Sequence, residues 1–276
     1  MYNERMNNDK EIKISPKDIS QCLYSKYAFV YDSTNHQILL DIASTDRIYP
    51  ASMTKLMTAL LLAEYVTEWS GEIIITEEMI AGLVEAGAQR LDWASGAVVT
   101  MHDLLYAMMV ISAADAAHAA AFVVAGSIDN FVKYMNKKAT LLGLTNTHFT
   151  NPTGLHDIDH YSTPRDIALL LKACSDNDAV STAMKTYSWK DISGTVFKNT
   201  WVTALEYSKQ NVNGLLGGKT GFTEQGMYCF ASFGKINDTE IICVTADAKP
   251  IYSNLIDAST IYNWLSTNQN YEKEEV

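Results

Sequence analysis

The chain is short of the features that mark several large classes of protein. Basic residues are outnumbered, 21 Lys and Arg against 32 Asp and Glu, for a formal net charge of −11 over 276 residues. That balance argues against a nucleic-acid partner, because gripping a phosphate backbone takes a basic surface. The four cysteines, Cys22, Cys174, Cys229 and Cys243, are too few and too scattered for a disulfide framework, and none forms a C-x-x-C pair. They read as small buried hydrophobes, with a Cys229–Cys243 bridge between neighbouring strands left open. No hydrophobic run suits a membrane span: the most apolar helical stretch, Leu56 to Tyr65, is too short and carries Glu64. Met1 to Pro16 is polar and charged and lacks the apolar centre of a secretion signal. Repeats, low-complexity tracts and Pro/Gly-rich linkers are missing as well. With 47% hydrophobic residues, the chain is expected to form one large domain or two closely packed lobes.

What is present is a change of period along the chain. Tyr27–Tyr31 and Gln37–Asp41 flank the turn residues Asp32-Ser-Thr-Asn35, a β-hairpin pattern. From Ala51 the period turns helical, with Leu56, Ala59, Leu60 and Ala63 on one face. Thr100 to Asp103 resembles a capping box opening a helix to about Ile111, and an alanine-dense helix runs from about Asp115 to Ala125. Thr163-Pro164-Arg165-Asp166 is another helix start. Period two returns over Met227–Phe233 and Glu240–Ala246, joined at Asn237-Asp238, before a last helix over roughly Ser253 to Leu265. Strands at both ends must share a sheet, with a helical segment inserted between them.

Three short segments carry candidate chemistry. Ser52-Met53-Thr54-Lys55 opens the apolar helix, where residues three apart share a face, so the Lys55 amine can reach the Ser52 hydroxyl. A serine needs a base to become a nucleophile, and a lysine serves only if desolvation or a nearby cation lowers its pKa. Taken alone the tetrapeptide is equally a cap serine followed by a solvated lysine. Gly217-Gly218-Lys219-Thr220-Gly221-Phe222 puts a cation and a hydroxyl on a strand edge open to an extended peptide. Leu215-Leu216 stand where a phosphate-binding loop would need different spacing. Ser112, in the break between the two middle helices, can relay a proton or merely cap the second helix. His156 and His160, with Asp157 and Asp159, lie in a loop and not on one helix face, so no metal role is expected for them.

In this order, Ser52-x-x-Lys55, Ser112 and Lys219-Thr220-Gly221 resemble the three motifs of low-molecular-mass penicillin-binding proteins, the serine D-alanyl-D-alanine carboxypeptidases of the S11 peptidase type. Thr147–Leu155, His160–Asp166 and Lys219–Thr223 are similar to further segments of that family, and the likeness extends over roughly Tyr27 to Leu265. The resemblance implies an α/β (α+β) fold of the β-lactamase/transpeptidase type, an antiparallel sheet with flanking helices. A helical lobe at about 70–200 would be inserted in a catalytic domain of residues 21–268, between a flexible arm (1–20) and a polar tail (269–276). It implies Ser52 as the acylated nucleophile, Lys55 as general base and Ser112 as proton relay. Lys219 and Thr220, in the Lys219-Thr220-Gly221 strand, would bind the substrate carboxylate, and the amides of Ser52 and Phe222 would form the oxyanion hole. The implied partners are peptidoglycan stem peptides ending in D-Ala-D-Ala and, as covalent inhibitors, penicillins and other β-lactam antibiotics; no cofactor or metal is implied. The setting would be extracytoplasmic, with the signal peptide not present in this sequence. The alternatives are a β-lactamase and a cell-wall-binding protein with an impaired site. One departure stands out: the family's second motif reads Ser-x-Asn, and its third place here is Ala114. A water or the neighbouring Asp115 is left to replace that amide, so the expectation is a working but slow enzyme.

Overall fold

The computed structural model describes residues 19–267. The polar tail expected over 269–276 lies outside them, as does the arm expected over 1–20 apart from its last two residues. Of those two, Ile19 is buried beside Trp264 and Leu265, so the packed part of the chain reaches further back than residue 21.

Chain order begins with the expected hairpin, β1 (Ser25–Asp32) and β2 (Gln37–Ile42). The Asp32 carboxylate accepts from the Thr34 and Asn35 amides and closes the turn between them. A short 3₁₀ turn, Ala51–Thr54, then runs directly into helix α1 (Lys55–Tyr65). After β3 (Glu72–Ile74), α2 (Glu77–Ile80) and β4 (Val98–Thr100) come α3 (Met101–Val110), α4 (Ala114–Ala125) and α5 (Ile128–Leu141). The capping box at α3 is complete: Thr100 Oγ1 accepts from the Asp103 amide at 3.1 Å and the Asp103 carboxylate accepts from the Thr100 amide at 2.9 Å. Thr163 caps α6 (Pro164–Asp176) in the way its sequence suggests. Then follow α7 (Asp178–Lys185), the small hairpin β5 (Ser188–Lys190) and β6 (Val196–Lys198), and α8 (Thr200–Ser208). The chain closes with β7 (Leu215–Thr223), β8 (Met227–Ile236), β9 (Thr239–Ala248) and α9 (Ser253–Thr267). Asn237 and Asp238 both adopt positive φ, as a two-residue hairpin turn of this hand requires.

The sheet order is β2-β1-β9-β8-β7, antiparallel throughout, so strands from the two ends of the chain meet at the β1–β9 pair. Alternation along β1 sends Tyr27 and Phe29 into one core and Ala28 and Val30 into another. The first core lies under the helical segment. There α1 packs against α3, α6 and α4, and in α4 Ala116, Ala117, Ala119, Ala120 and Ala121 are fully buried, because methyl groups let helices approach closely. The second core packs α9 on the opposite face through Ile261, Tyr262 and Leu265. Asp257 of α9 accepts from the Tyr24 and Ser25 amides at the start of β1 and locks the closing helix to the first strand. Strand β7 is left at the sheet edge, and the 3₁₀ turn holding Ser52 lies against it.

Candidate active site

The nucleophile candidate sits in strained backbone. Ser52 falls in the 3₁₀ turn before α1, not in the first turn of an α-helix, and Ala51 before it has φ +47°. Ser112 has φ +66°. Non-glycine residues in this region cost free energy and are held there only by their surroundings. Those surroundings are built from glycine. A β-carbon on Gly154 would lie 1.8 Å from the Ala51 carbonyl oxygen, and one on Gly221 would lie 3.1 Å from the Ser52 amide nitrogen. The backbones of the Asn151–Gly154 turn and of β7 therefore press on the serine from two sides.

Neither serine is a helix cap. Pro50 and Ala113 occupy the cap positions, and no side chain caps either helix start. The Ser52 hydroxyl instead lies 3.0 Å from Lys55 Nζ, which also donates to the Thr153 carbonyl at 2.7 Å. Thr153 is placed by Asn151, whose Oδ1 accepts from the Thr153 and Gly154 amides at 3.1 and 2.8 Å. Thr58 of α1 donates to the Pro152 carbonyl at 2.7 Å and ties the same turn to the helix. The stretch Asn151-Pro-Thr-Gly154 is thus the cradle of Lys55.

Burial pushes the Lys55 amine down to about 7, against the Asp115 carboxylate, which pulls it up. A lysine in that state is substantially neutral near pH 7, as a base must be. Lys219 is fully buried; burial first and the Lys55 charge second hold it well below the usual lysine range. It lies within β7 itself, which contains the whole Lys-Thr-Gly segment. Its Nζ donates to the Thr220 carbonyl at 2.9 Å. Lys219 is opposite Ala231 and so points to the sheet face that packs on α1, while Thr220, Gly221 and Phe222 line an open cleft of about 530 Å³ shared with Ser52, Lys55, Ser112 and Ala114. Thr220 Oγ1 is 2.7 Å from Thr200 Oγ1 at the start of α8.

Several neighbours differ from the sequence reading or escape it. Asp115 does not stand in for the missing amide. Its carboxylate is spent on the Leu91 and Trp93 amides at 2.9 and 3.4 Å, and burial pushes its pKa up. His160 is structural: the Thr150 amide donates to its Nδ1 at 3.0 Å, which leaves Nε2–H to donate to Thr54 Oγ1 at 2.7 Å. Burial pushes it down to about 4, so it stays neutral. Cys229 and Cys243 are not bridged; β8 places Ser232 opposite Cys243. Lys198, Thr200, Gln89 and Asn254 also line the cleft. No motif pointed to them, because they arrive from three separate segments with ordinary local sequence.

The chain matches the sequence profile of the D-alanyl-D-alanine carboxypeptidase family, peptidase S11, over residues 14–250. It belongs to that family. Among curated relatives, D-alanyl-D-alanine carboxypeptidase DacF of Bacillus subtilis is 31% identical over 226 residues, covering 81% of this chain and 57% of the relative. DacA of Haemophilus influenzae is 29% identical over 263 residues, covering 93% of this chain and 64% of the relative. The chain thus spans about three fifths of the length of these two family members. Among solved structures, the Streptomyces K15 DD-transpeptidase superposes with a TM-score of 0.78 at 27% identity, covering 88% of this chain and 97% of that one. The β-lactamase/transpeptidase-like fold implied by the sequence motifs is the fold of the family.

Proposed function

We propose that this chain is a serine D,D-carboxypeptidase that removes the last residue of peptidoglycan stem peptides ending in D-Ala-D-Ala. The observation that carries the reading is Ser52 Oγ 3.0 Å from the buried Lys55 amine, whose pKa is held near 7, in a cleft beside an edge strand. In this reading neutral Lys55 accepts the Ser52 proton as Oγ bonds to the carbonyl carbon of the penultimate D-alanine. The developing oxyanion is met by the amides of Ser52 and Phe222. The proton passes from Lys55 through Ser112 to the departing D-alanine nitrogen as the C–N bond breaks, and water then hydrolyses the ester. Thr220 takes the terminal carboxylate. Lys219 acts from its buried place next to Thr220, where arrival of an anion favours its protonated form. Residues 21–268 would work as one catalytic unit in an extracytoplasmic setting, where its substrate lies. β-Lactams, which present a strained amide and a carboxylate in a similar arrangement, would acylate Ser52.

One observation favours a second reading, a wall-binding protein with an impaired site: the apolar methyl of Ala114 beside Ser112. Intact mass after incubation with penicillin, followed by peptide mapping and an assay of D-alanine release, tests both. One adduct on Ser52 with measurable release supports the carboxypeptidase. Fast turnover of penicillin favours a β-lactamase, and no adduct and no release favours the binder.

A further inference from the structure

A peptide that adds to the β7 edge pairs only half of its backbone with the protein. Successive N–H and C=O groups of an extended chain point alternately to its two sides. The outward-facing half meets the opposite wall, formed by Gly87, Ala88, Gln89, Ile111, Ser112 and Ala114. A backbone amide shut into a cleft without a partner is costly, so the wall must supply a group for it. Two side chains of the wall are polar. Ser112 is claimed by proton transfer in the proposed reaction. Gln89 carries both donors and an acceptor on one carboxamide, the complement of a peptide group.

Gln89 is also held where it is needed. Its backbone carbonyl accepts from the Ala114 amide at 2.7 Å, which sets the Gln89 backbone beside Ala114, and both residues line the cleft. Two residues on, the Leu91 amide is bonded to the Asp115 carboxylate, and Arg90 Nη1 donates to the Ala88 carbonyl at 3.1 Å. Ala88 is buried in a cluster with Leu83 and Ala114, so the loop is docked on both sides of Gln89. The side chain itself is exposed, and among the described residues no hydrogen bond engages its carboxamide.

We infer that Gln89 is a substrate-binding residue, its carboxamide hydrogen-bonding the outward-facing backbone amide on the acyl side of the peptide, where Ala114 offers only a methyl. Asp115 is the positioning residue that keeps the loop docked. The inference rests on the acyl-transfer reading of the cleft and names the part of the substrate that the far wall recognises.

The test compares wild type and Gln89→Ala on two substrates: a peptide ending in D-Ala-D-Ala with its acyl-side amide intact, and an ester of similar length that lacks that amide. Loss of one hydrogen bond corresponds to about a tenfold fall in kcat/KM. That fall is expected for the peptide, with the ester rate unchanged. Adding Ala114→Asn to Gln89→Ala should restore the peptide rate, because a carboxamide returns to the same wall. An unchanged peptide rate in Gln89→Ala overturns the inference. An equal fall on both substrates, or no recovery with Ala114→Asn, assigns Gln89 a purely structural part and also overturns it. Penicillin acylation of wild-type Ser52 is measured alongside; if it fails, the acyl-transfer reading falls first and the inference with it.

Discussion

The α-carbon of Gly154 packs directly on the carbonyl of Ala51, so closely that a β-carbon there would sit 1.8 Å from the oxygen. Gly154 has φ +84°, where any other residue is strained whatever the space. A contact between residues so far apart in sequence sets the position of Ser52, the next residue along. Gly154→Ala is therefore expected to cost about 2–3 kcal/mol or more of stability, from backbone strain and displaced packing together. It should also slow penicillin acylation. Thermal melts and acylation rates check this, and a variant as stable and as reactive as wild type would contradict the packing account.

Lys55 makes activity pH-dependent in a stated direction. With its pKa lowered to about 7, the neutral amine is lost as pH falls through that value. The acylation rate should fall with it and should level off above. A rate profile that is flat across neutrality would remove Lys55 as the base.

The same shift makes stability pH-dependent. Between the folded pKa of about 7 and the unfolded value of 10.5, the unfolded chain binds more protons than the folded one, so stability rises with pH across that window. Lys219 is depressed as well and contributes with the same sign. Melting temperatures of wild type and Lys55→Met, compared at about pH 7 and about pH 10, should show a smaller rise in the variant.

Removing the two lysines should produce different defects. Lys55→Ala removes proton transfer and should lower the acylation rate by about 10²–10⁴-fold, with substrate binding little altered. Lys219→Ala removes the buried amine next to Thr220 and should raise KM as well as lower kcat. Kinetics on a D-Ala-D-Ala peptide separate the two, and Ser52→Ala should take no penicillin at all.

The cysteines divide by exposure. Cys22 is exposed, whereas Cys174, Cys229 and Cys243 are buried, and burial pushes the thiols of Cys229 and Cys243 up to about 12. A thiol reagent should label Cys22 rapidly in the native protein and the other three only after denaturation. Mass spectrometry of the labelled peptides checks this; early labelling of Cys229 or Cys243 would mean that the sheet opens.

The sequence by itself determined the local architecture and the roster of reactive groups. The hairpin at Asp32–Asn35, the capping box Thr100–Asp103, the Thr163-Pro164 start and the turn at Asn237-Asp238 all lie where their residues predict, because each is a short-range matter of hydrogen bonding and sterics. The Ser52–Lys55 pairing is local too, one turn of chain. Tertiary structure decided what those groups can do. Lys55 becomes a base only through burial, and it is held in place by the Thr153 carbonyl, 98 positions away in sequence. Lys219 ends up fully buried on the sheet face that packs on α1. Asp115 is spent on a loop that no pattern marked, and Gln89 reaches the cleft wall only because that loop is docked there. Desolvation and docking depend on which distant segments come together, and a reading limited to neighbours along the chain carries no record of that.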